Sequence, residues 1–452
     1  MIIENIIKIA LGLAGLGIVV FFHELGHFLA ARLTKIDVEA FSIGWGNPIL
    51  KKKIGTVEYR LGMFPVGGYC KMKGDNDYNK IWEDRKNGIP PEKGSFYAAT
   101  PIARIIVSFA GPFFNFVFAC ILLSVLWGAG FEIQTLGNKI ILASDMSSGE
   151  TYPADIAGFK TGDKIIEIDG QKVSYYHEIY ETIATNPNKL LPVKVERDGV
   201  IHSLEVTPVL EKSTGAGRIG VSFWTDPVIG SVKEGSAASI AGFKTGDVIS
   251  SANGIELQNT YDLFKIIAEE PDELILEYYR DGVPGRIVFS GDDLKEGIGL
   301  SWQFINYRSP PLPIHKAVAK GLQESYKTIT VSIKSLRLLF MGIDLTNAVS
   351  GPVRITYMMG EMAAQSFAHG IGAGLRSIAE FIALISIALG IMNLLPLPII
   401  DGGMIVLYLV EIIRRKPANP KAVSIFQTCG IVLIVCLFIF ALFGDIMFFI
   451  RG

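Results

Sequence analysis

Two histidines and a glutamate lie inside an apolar stretch near the N-terminus, "FFHELGHFLA" at residues 21–30. On a helix, the H-E-x-x-H spacing puts His23 and His27 on one face, where their imidazole nitrogens can share one zinc ion. Glu24 can then reach a water on that metal and pass its proton to a leaving amine. The pattern therefore predicts a zinc metalloprotease in which His23 and His27 hold the metal and Glu24 is the general base.

Two other interpretations of this motif stay open at this point. Polar side chains can pack helices together inside a membrane bundle, and a pair of ligands can serve a metal transporter. Neither alternative accounts for a glutamate directly beside His23. Ionisable groups are costly in apolar surroundings, so these three residues require a partner or a task.

A third metal ligand is expected, because catalytic zinc normally takes three protein ligands and one water. The candidate is Asp401, which ends the apolar run "NLLPLPIIDGG" at residues 393–403. Pro396 and Pro398 break the helix just before it, and a broken helix at membrane depth lines a cavity or is covered by protein. Taken alone, Asp401 could equally be the N-cap of the next helix. Beside the H-E-x-x-H motif, the ligand interpretation is favoured.

Membrane-spanning helices must position these residues, and apolar runs of about 20 residues indicate four of them. Of the 452 residues, 50% are hydrophobic and 19% are charged, which is typical of a membrane protein with a soluble portion. The predicted spans cover residues 6–31, 105–128, 378–400 and 424–443. A signal peptide is the alternative for the first run, but the basic start and the small-residue cleavage site are missing.

The positive charges between the spans predict the orientation of the chain. The segment between the third and fourth spans carries "RRKPANPK", and the segment between the first two carries "KKK" at residues 51–53. Both segments are therefore expected in the cytoplasm, with both termini and residues 130–370 on the other side. The four cysteines form no C-x-x-C pair and lie outside that large region, so no disulfide framework is expected there. The net charge of −2 does not indicate nucleic-acid binding.

The outer region contains an internal repeat. "DIAGFKTGDKIIEIDG" at 155–170 matches "SIAGFKTGDVISSANG" at 239–254, with AGFKTGD identical at an offset of 84 residues. Each unit later carries an "RDG" hairpin turn between apolar strands. The pattern resembles the PDZ family, whose members bind extended peptides by adding them as a strand to an open sheet edge. A pair of β-rich spacers that bind no peptide is the alternative.

Two further segments have predicted structure. "TVEYRLGMFPVGGYC" at residues 56–70 alternates apolar and polar residues and predicts a strand pair, with an ordinary cytoplasmic hairpin as the alternative to a membrane-associated one. From His315 onward the pattern becomes helical and amphipathic. That helix could lie along the membrane surface or pack against the PDZ-like units.

The motifs together resemble the site-2 protease family. They are HELGH in the first span, "GPFFN" in the second, "N-x-x-P-x-P-x-x-DGG" in the third, and the PDZ-like pair between them. The resemblance covers the whole chain and is closest to the bacterial RseP-type regulators of the sigma-E envelope stress response. It implies one zinc per chain, held by His23, His27 and Asp401, with Glu24 as the base. It also implies that Asn393 holds the substrate backbone.

In the resembling family, a hairpin at the position of residues 56–70 dips into the membrane from the cytoplasmic side. Its edge could pair with a substrate helix once that helix unwinds. The hairpin residues expected to supply such contacts are Arg60, Leu61, Gly62, Met63 and Phe64.

The expected fold is a multi-pass α-helical membrane protein with about four transmembrane helices, two extracytoplasmic PDZ-like α+β domains and a small membrane-associated β-hairpin element. The expected domains are an N-terminal membrane domain, PDZ-like domains 1 and 2, a helical connector and a C-terminal membrane domain, at residues 1–128, 129–213, 214–305, 306–373 and 374–452.

The expected activity is cleavage of single-span membrane proteins in the bacterial inner membrane. The resemblance implies substrates already shortened on their outer side, such as an anti-sigma factor or remnant signal peptides. Expected partners are these substrates, membrane lipid and exported peptide C-termini at the PDZ-like domains. A non-proteolytic membrane scaffold and a metal transporter are the alternatives.

Overall fold

The computed structural model describes residues 2–75, 83, 87, 92–146, 150–212, 214–295, 297–338, 351–368 and 370–451. Contacts divide the chain into two compact units. Glu132–Arg308 make up one unit, called the outer-repeat unit after its expected position, and the segments before and after it make up a membrane-helix unit.

The helices, in chain order, are α1 (Ile2–Leu33), α2 (Pro101–Ala129), α3 (Ala143–Met146), α4 (Pro153–Ile156), α5 (Tyr176–Ala184), α6 (Ala237–Ile240), α7 (Thr260–Ala268), α8 (Gly291–Lys295), α9 (Ile314–Leu338), α10 (Pro352–Ala368), α11 (Ile371–Leu394), α12 (Asp401–Arg414) and α13 (Pro420–Arg451).

The strands are β1 (Val38–Ile54), β2 (Val57–Met72), β3 (Phe131–Thr135), β4 (Ile140–Leu142), β5 (Lys164–Ile168), β6 (Gln171–Lys172), β7 (Leu191–Arg197), β8 (Val200–Val206), β9 (Val209–Leu210), β10 (Gly217–Arg218), β11 (Val221–Phe223), β12 (Ile229–Val232), β13 (Val248–Ala252), β14 (Ile255–Glu256), β15 (Glu273–Arg280), β16 (Val283–Ser290), β17 (Leu300–Trp302) and β18 (Ile305–Ser309).

Four helices of the described chain are long and apolar enough to cross a membrane, namely α1, α2, α11 and α13. Their number agrees with the sequence-based expectation. The third span ends earlier than predicted, because α11 stops at Leu394 and the next residues are not helical. Proline lacks a backbone N–H and disfavours helical backbone in the residue before it, so Pro396 and Pro398 account for this end.

Small residues let the first helix approach its neighbours closely. A Cβ at Gly26 would lie 2.3 Å from the carbonyl oxygen of Ala110 on α2, and a Cβ at Gly12 would lie 2.6 Å from that of Thr356 on α10. Such close backbone contact is a common way of packing helices in membranes. It presses the turn of α1 that carries the H-E-x-x-H motif directly against α2.

The strands β1 and β2 form a curled sheet in the membrane-helix unit. Residues 40–43 pair with 58–61 on one side and with 68–71 on the other, and 58–61 pair in turn with 50–53. The predicted strand pair at 56–70 therefore contains an interior segment, 58–61, and the start of an edge segment, 68–71. The sheet shares one apolar core with α1, α2 and α12, built around Phe28, Phe41, Val107 and Tyr408.

The helix expected from His315 is present as α9, and its packing partner is α2. A Cβ at Gly321 would lie 2.2 Å from Oγ of Ser124 on α2. Ile329 and Leu336 of α9 pack around the buried Ala119 of α2. Packing against a membrane helix was neither of the two predicted placements.

The outer-repeat unit folds the same way twice. Its two four-stranded sheets have the same order, β6-β5-β7-β8 and β14-β13-β15-β16. In the first sheet the buried Asp163 pairs with Arg197 at 2.6 Å, and in the second Asp247 pairs with Arg280 at 2.7 Å. These two ion pairs give a physical reason why both units carry GD in the first motif and RD in the later turn.

The change from the first repeat to the second lies later than the predicted boundary after residue 213. Ile219 belongs to the first apolar core and Val221 packs against that core, whereas the second core begins at Ile229. The reason is that β11 pairs with β4, a strand at the beginning of the first unit. A sequence pattern does not reveal this long-range pairing.

Candidate metal centre and active site

Three predicted ligands meet in the membrane-helix unit. Nε2 of His23 lies 3.1 Å from Nε2 of His27. The Asp401 carboxylate oxygens lie 3.3 Å from Nε2 of His23 and 3.5 Å from that of His27. Zinc bonds of about 2.0–2.2 Å in a tetrahedron place ligand atoms about 3.3 Å apart. The three donor atoms are therefore spaced as a tetrahedral metal site requires.

The helix α2 orients the imidazole of His27. Nδ1 of His27 lies 2.8 Å from the carbonyl oxygen of Val107, and both groups are buried. A carbonyl only accepts, so Nδ1 carries the proton and Nε2 keeps its lone pair. That tautomer is the one that lets Nε2 bind a metal.

The same helix orients His23 through Asn115, which is fully buried. The Asn115 amide nitrogen lies 3.2 Å from Nδ1 of His23, and the amide oxygen has no hydrogen-bond partner among the described residues. A half-turn of the amide exchanges the two atoms, which are assigned by their hydrogen bonds. The oxygen then accepts from Nδ1–H of His23, which frees Nε2 as a ligand atom. This arrangement gives the amide oxygen a partner, moves the amide NH2 group to the place that the oxygen held, and fits a bound metal.

Gly111 makes room for both imidazoles. A Cβ at this position would lie 2.4 Å from Nε2 of His27 and 2.8 Å from Cε1 of His23. Any side chain would therefore displace the ligands. Gly111 and Asn115 both belong to the "GPFFN" segment, which the sequence analysis identified without assigning a role to either residue.

Asp401 is the first residue of α12, and Ile400 occupies the N-cap position. The alternative of an aspartate N-cap is therefore not what the structure contains. Gly402 and Gly403 let the preceding loop pack on the helix start, since a Cβ would lie 2.3 Å from the carbonyl oxygen of Leu395 and 1.9 Å from that of Leu397, respectively. This packing turns Asp401 toward the two histidines.

Glu24 is half-buried beside the edge segment of the curled sheet. The backbone N–H of Cys70 faces its carboxylate as a hydrogen-bond donor. A Cβ at Gly68 would lie 3.2 Å from Cγ of Glu24. The base candidate therefore lies next to a sheet edge that pairs with no other described segment on its outer side.

The predicted substrate-contact residues lie in two places. Asn393 is in the last turn of α11, is half-buried, and its side chain makes no hydrogen bond to another described residue. Arg60 and Leu61 lie in the interior segment 58–61, where the backbone pairs on both sides.

The other hairpin residues lie beyond that interior segment. Gly62 packs closely on Gly44, and the side chains of Met63 and Phe64 are 59% and 58% exposed.

This donor set, two imidazoles and one carboxylate beside a second carboxylate, is that of a metal-dependent hydrolase site. The family model "Peptidase family M50" matches residues 11–437. A protein named "Putative zinc metalloprotease" from Treponema pallidum (strain Nichols) is 33% identical over 446 residues, covering 98% of this chain and 99% of the relative. The "Regulator of sigma E protease" of Haemophilus influenzae is 30% identical over 459 residues, covering 96% and 97%.

The chain therefore belongs to peptidase family M50, the site-2 protease family, and is a membrane-spanning zinc metalloprotease. The resemblance drawn from its sequence motifs is confirmed at the level of the family.

We expect Gly111→Ala to abolish zinc loading, because its methyl group would occupy the space of the imidazoles. Gly128→Ala is the matched control on the same helix, since a Cβ there meets only Ala317 at 3.6 Å. Zinc content of the purified proteins, measured by elemental analysis, should be near zero for Gly111→Ala and unchanged for Gly128→Ala. Equal zinc content in both variants would show that Gly111 does not border the metal.

Proposed function

We propose that this protease hydrolyses a peptide bond within or next to the transmembrane segment of a single-span membrane protein. The observation that carries the proposal is the convergence of His23 and His27, on the candidate membrane span α1, with Asp401 at the start of α12 and with Glu24 beside them. Zinc held by the three ligands would supply Lewis acidity, which makes water a stronger nucleophile near neutral pH. Glu24 would accept the proton of the attacking water and return it to the leaving nitrogen.

A substrate helix must unwind before cleavage, because a helical peptide bond is shielded by its own turn. We propose that the outer edge of residues 68–71 pairs with the unwound strand, since this edge lies beside Glu24. Asn393 can both donate to and accept from a peptide backbone, and it lies eight residues before Asp401 in the chain.

We also propose that the hairpin residues 60–64 contact the substrate, but through side chains and not through main-chain pairing. The backbone of Arg60 and Leu61 is already paired on both sides, so it cannot add a third strand. The exposed side chains of Met63, Phe64 and the neighbouring Trp45 form an apolar tip instead. We propose that this tip enters the membrane and contacts the apolar side chains of the substrate.

We propose that the outer-repeat unit lies outside the cytoplasm, on the same side as both termini, in a bacterial inner membrane. The supporting features are the four candidate spans and the lysines and arginines between them. A substrate with a bulky outer domain would then meet this unit before the site. Substrates already shortened on that side, such as an anti-sigma factor or a remnant signal peptide, would be favoured.

The two repeat units differ at the strand edge that a PDZ-like domain would offer to a peptide. In the first unit, Tyr176 donates a hydrogen bond to the carbonyl oxygen of Val221 at 3.1 Å, and its ring packs edge-on against Phe223. Burial raises the pKa of Tyr176 to about 12, so its hydroxyl stays a donor. This contact occupies a main-chain group that a peptide strand would need.

The second unit has Thr260 where the first has Tyr176, at the repeat offset of 84 residues. Leu300 corresponds to Val221, and its strand β17 pairs only with β12 among the described segments. The backbone N–H of Lys233, the residue after β12, donates to the carbonyl oxygen of Gly299. Because successive carbonyl groups of a strand point to opposite sides, the carbonyl of Leu300 faces the other, open side. We therefore propose that any exported peptide binds at the second unit and that the first unit is closed by Tyr176.

Glu24→Gln tests the proteolytic function, because it removes the base and keeps the size of the side chain. Cleavage of a tagged, pre-trimmed single-span substrate in vesicles should fall by about 100-fold or more. Zinc should stay at about one per chain, whereas Asp401→Asn should reduce it, since only Asp401 is a proposed ligand. Unchanged cleavage with Glu24→Gln would show that Glu24 is not the general base.

Asn393→Ala should slow cleavage about tenfold, the scale of one or two hydrogen bonds of about 1 kcal/mol each. The loss should be smaller for a substrate whose span carries helix-destabilising residues, because less unwinding is required. Cleavage rates for matched helical and loosened substrates give the comparison. Equal losses on both substrates would mean that Asn393 does not hold the unwound strand.

Removing Glu132–Arg308 should leave the metal site intact and admit substrates with a large outer domain. The ends that remain adjoin each other, since a Cβ at Gly130 would lie 2.9 Å from the carbonyl oxygen of Ser309. A short linker should therefore reconnect them. Fragment release from intact and pre-trimmed substrates provides the measurement. An active truncation that still rejects intact substrates would refute a gating role of the outer-repeat unit.

A further inference from the structure

A buried ion pair joins the two helices that flank the metal centre. Nη2 of Arg104 on α2 lies 2.6 Å from Oε2 of Glu411 on α12, and both side chains are only 2% exposed. The guanidinium also stacks over the ring of Tyr408, with 4.5 Å to the ring centroid. The second oxygen of Glu411 accepts the backbone N–H of Ala418 at 2.9 Å.

The ion pair lies on the same face of α2 as the groups that orient the metal ligands. On α2, Arg104 precedes Val107, Gly111 and Asn115 by three, seven and eleven residues, a spacing that keeps all four on one side of a helix. The last three orient or border the two imidazoles. The helix α2 therefore serves as the common reference for His23 and His27.

On α12, Glu411 follows Asp401 by ten residues, which places it about 15 Å further along the helix axis and about 80° around it. The segment 395–400 before Asp401 is not helical, so α12 does not continue the axis of α11. The contacts of Met404 and Leu407 with the core are apolar and have no direction. The ion pair is a directional contact between α12 and α2.

The energetics favour a positioning role for this pair. A buried ion pair is often no more stabilising than an apolar pair of the same volume, because both charges lose their hydration. Here Nε and Nη1 of Arg104 also have no hydrogen-bond partner among the described residues, which adds to the cost. We propose that Arg104 and Glu411 are positioning residues that hold Asp401 in register with His23 and His27. This inference rests on the proposed ligand set.

The double variant R104M/E411L replaces both charges. It distinguishes an effect on the position of Asp401, measured as zinc affinity, from an effect on folding stability, measured as melting temperature. An apolar pair should keep the melting temperature of the metal-free protein at or above that of the wild type. Zinc affinity, measured by chelator competition in detergent, should nevertheless fall about tenfold or more, as for other supports of metal ligands. The control R376M/E380L removes an ion pair within the single helix α11 and should leave zinc affinity unchanged.

Wild-type zinc affinity in a stable R104M/E411L protein would overturn the proposal. Should that variant fail to fold, E411Q in wild-type and D401N backgrounds gives an independent reading. If Glu411 acts through Asp401, E411Q weakens zinc binding about tenfold in the wild type and not further in D401N. Additive losses would overturn the proposal. Normal zinc affinity in D401N alone would instead remove Asp401 from the ligand set.

Discussion

The site depends on the contact between one turn of α1 and one face of α2. Gly26 lets the two backbones meet, and Gly111 leaves space for the imidazoles that project from that turn. Val107 and Asn115 then fix the rings, so that both Nε2 atoms point at Asp401. Val107, Gly111 and Asn115 are all on α2. A shift of α1 by a fraction of a turn would therefore disturb the helix packing, the histidine tautomers and the ligand spacing together.

Several buried charged and polar groups of the membrane-helix unit meet a directional partner on another element. The histidines meet Asp401, and Arg104 meets Glu411. Asp445 on α13, only 2% exposed, accepts the backbone N–H groups of Gly351, Val353 and Arg354 and so holds the start of α10. Apolar contacts alone do not distinguish one helix register from another in lipid, so these polar contacts supply specificity.

Most of the correct predictions from the sequence rested on local patterns of residues. A spacing of four residues defined the histidine pair, apolar runs defined the spans, and an offset repeat defined the outer unit. The partnership of Arg104 with Glu411, which are 307 residues apart, leaves no such pattern. Nor does alternation of apolar residues show that 58–61 pairs on both sides. These features are set by how distant elements meet, which one sequence does not encode in any local period.

In the outer-repeat unit, the residues that form the fold are repeated, whereas a residue at the strand edge is not. The identical AGFKTGD segments give both units the same buried aspartate, and each aspartate holds an arginine across its sheet. The edge strand differs, because Tyr176 covers it in the first unit whereas the shorter Thr260 stands at that position in the second. The residues that form the sheet are thus duplicated, whereas one aromatic side chain at the edge differs between the two units. The proposal that the first unit is closed and the second is open to a peptide therefore requires no difference between their cores.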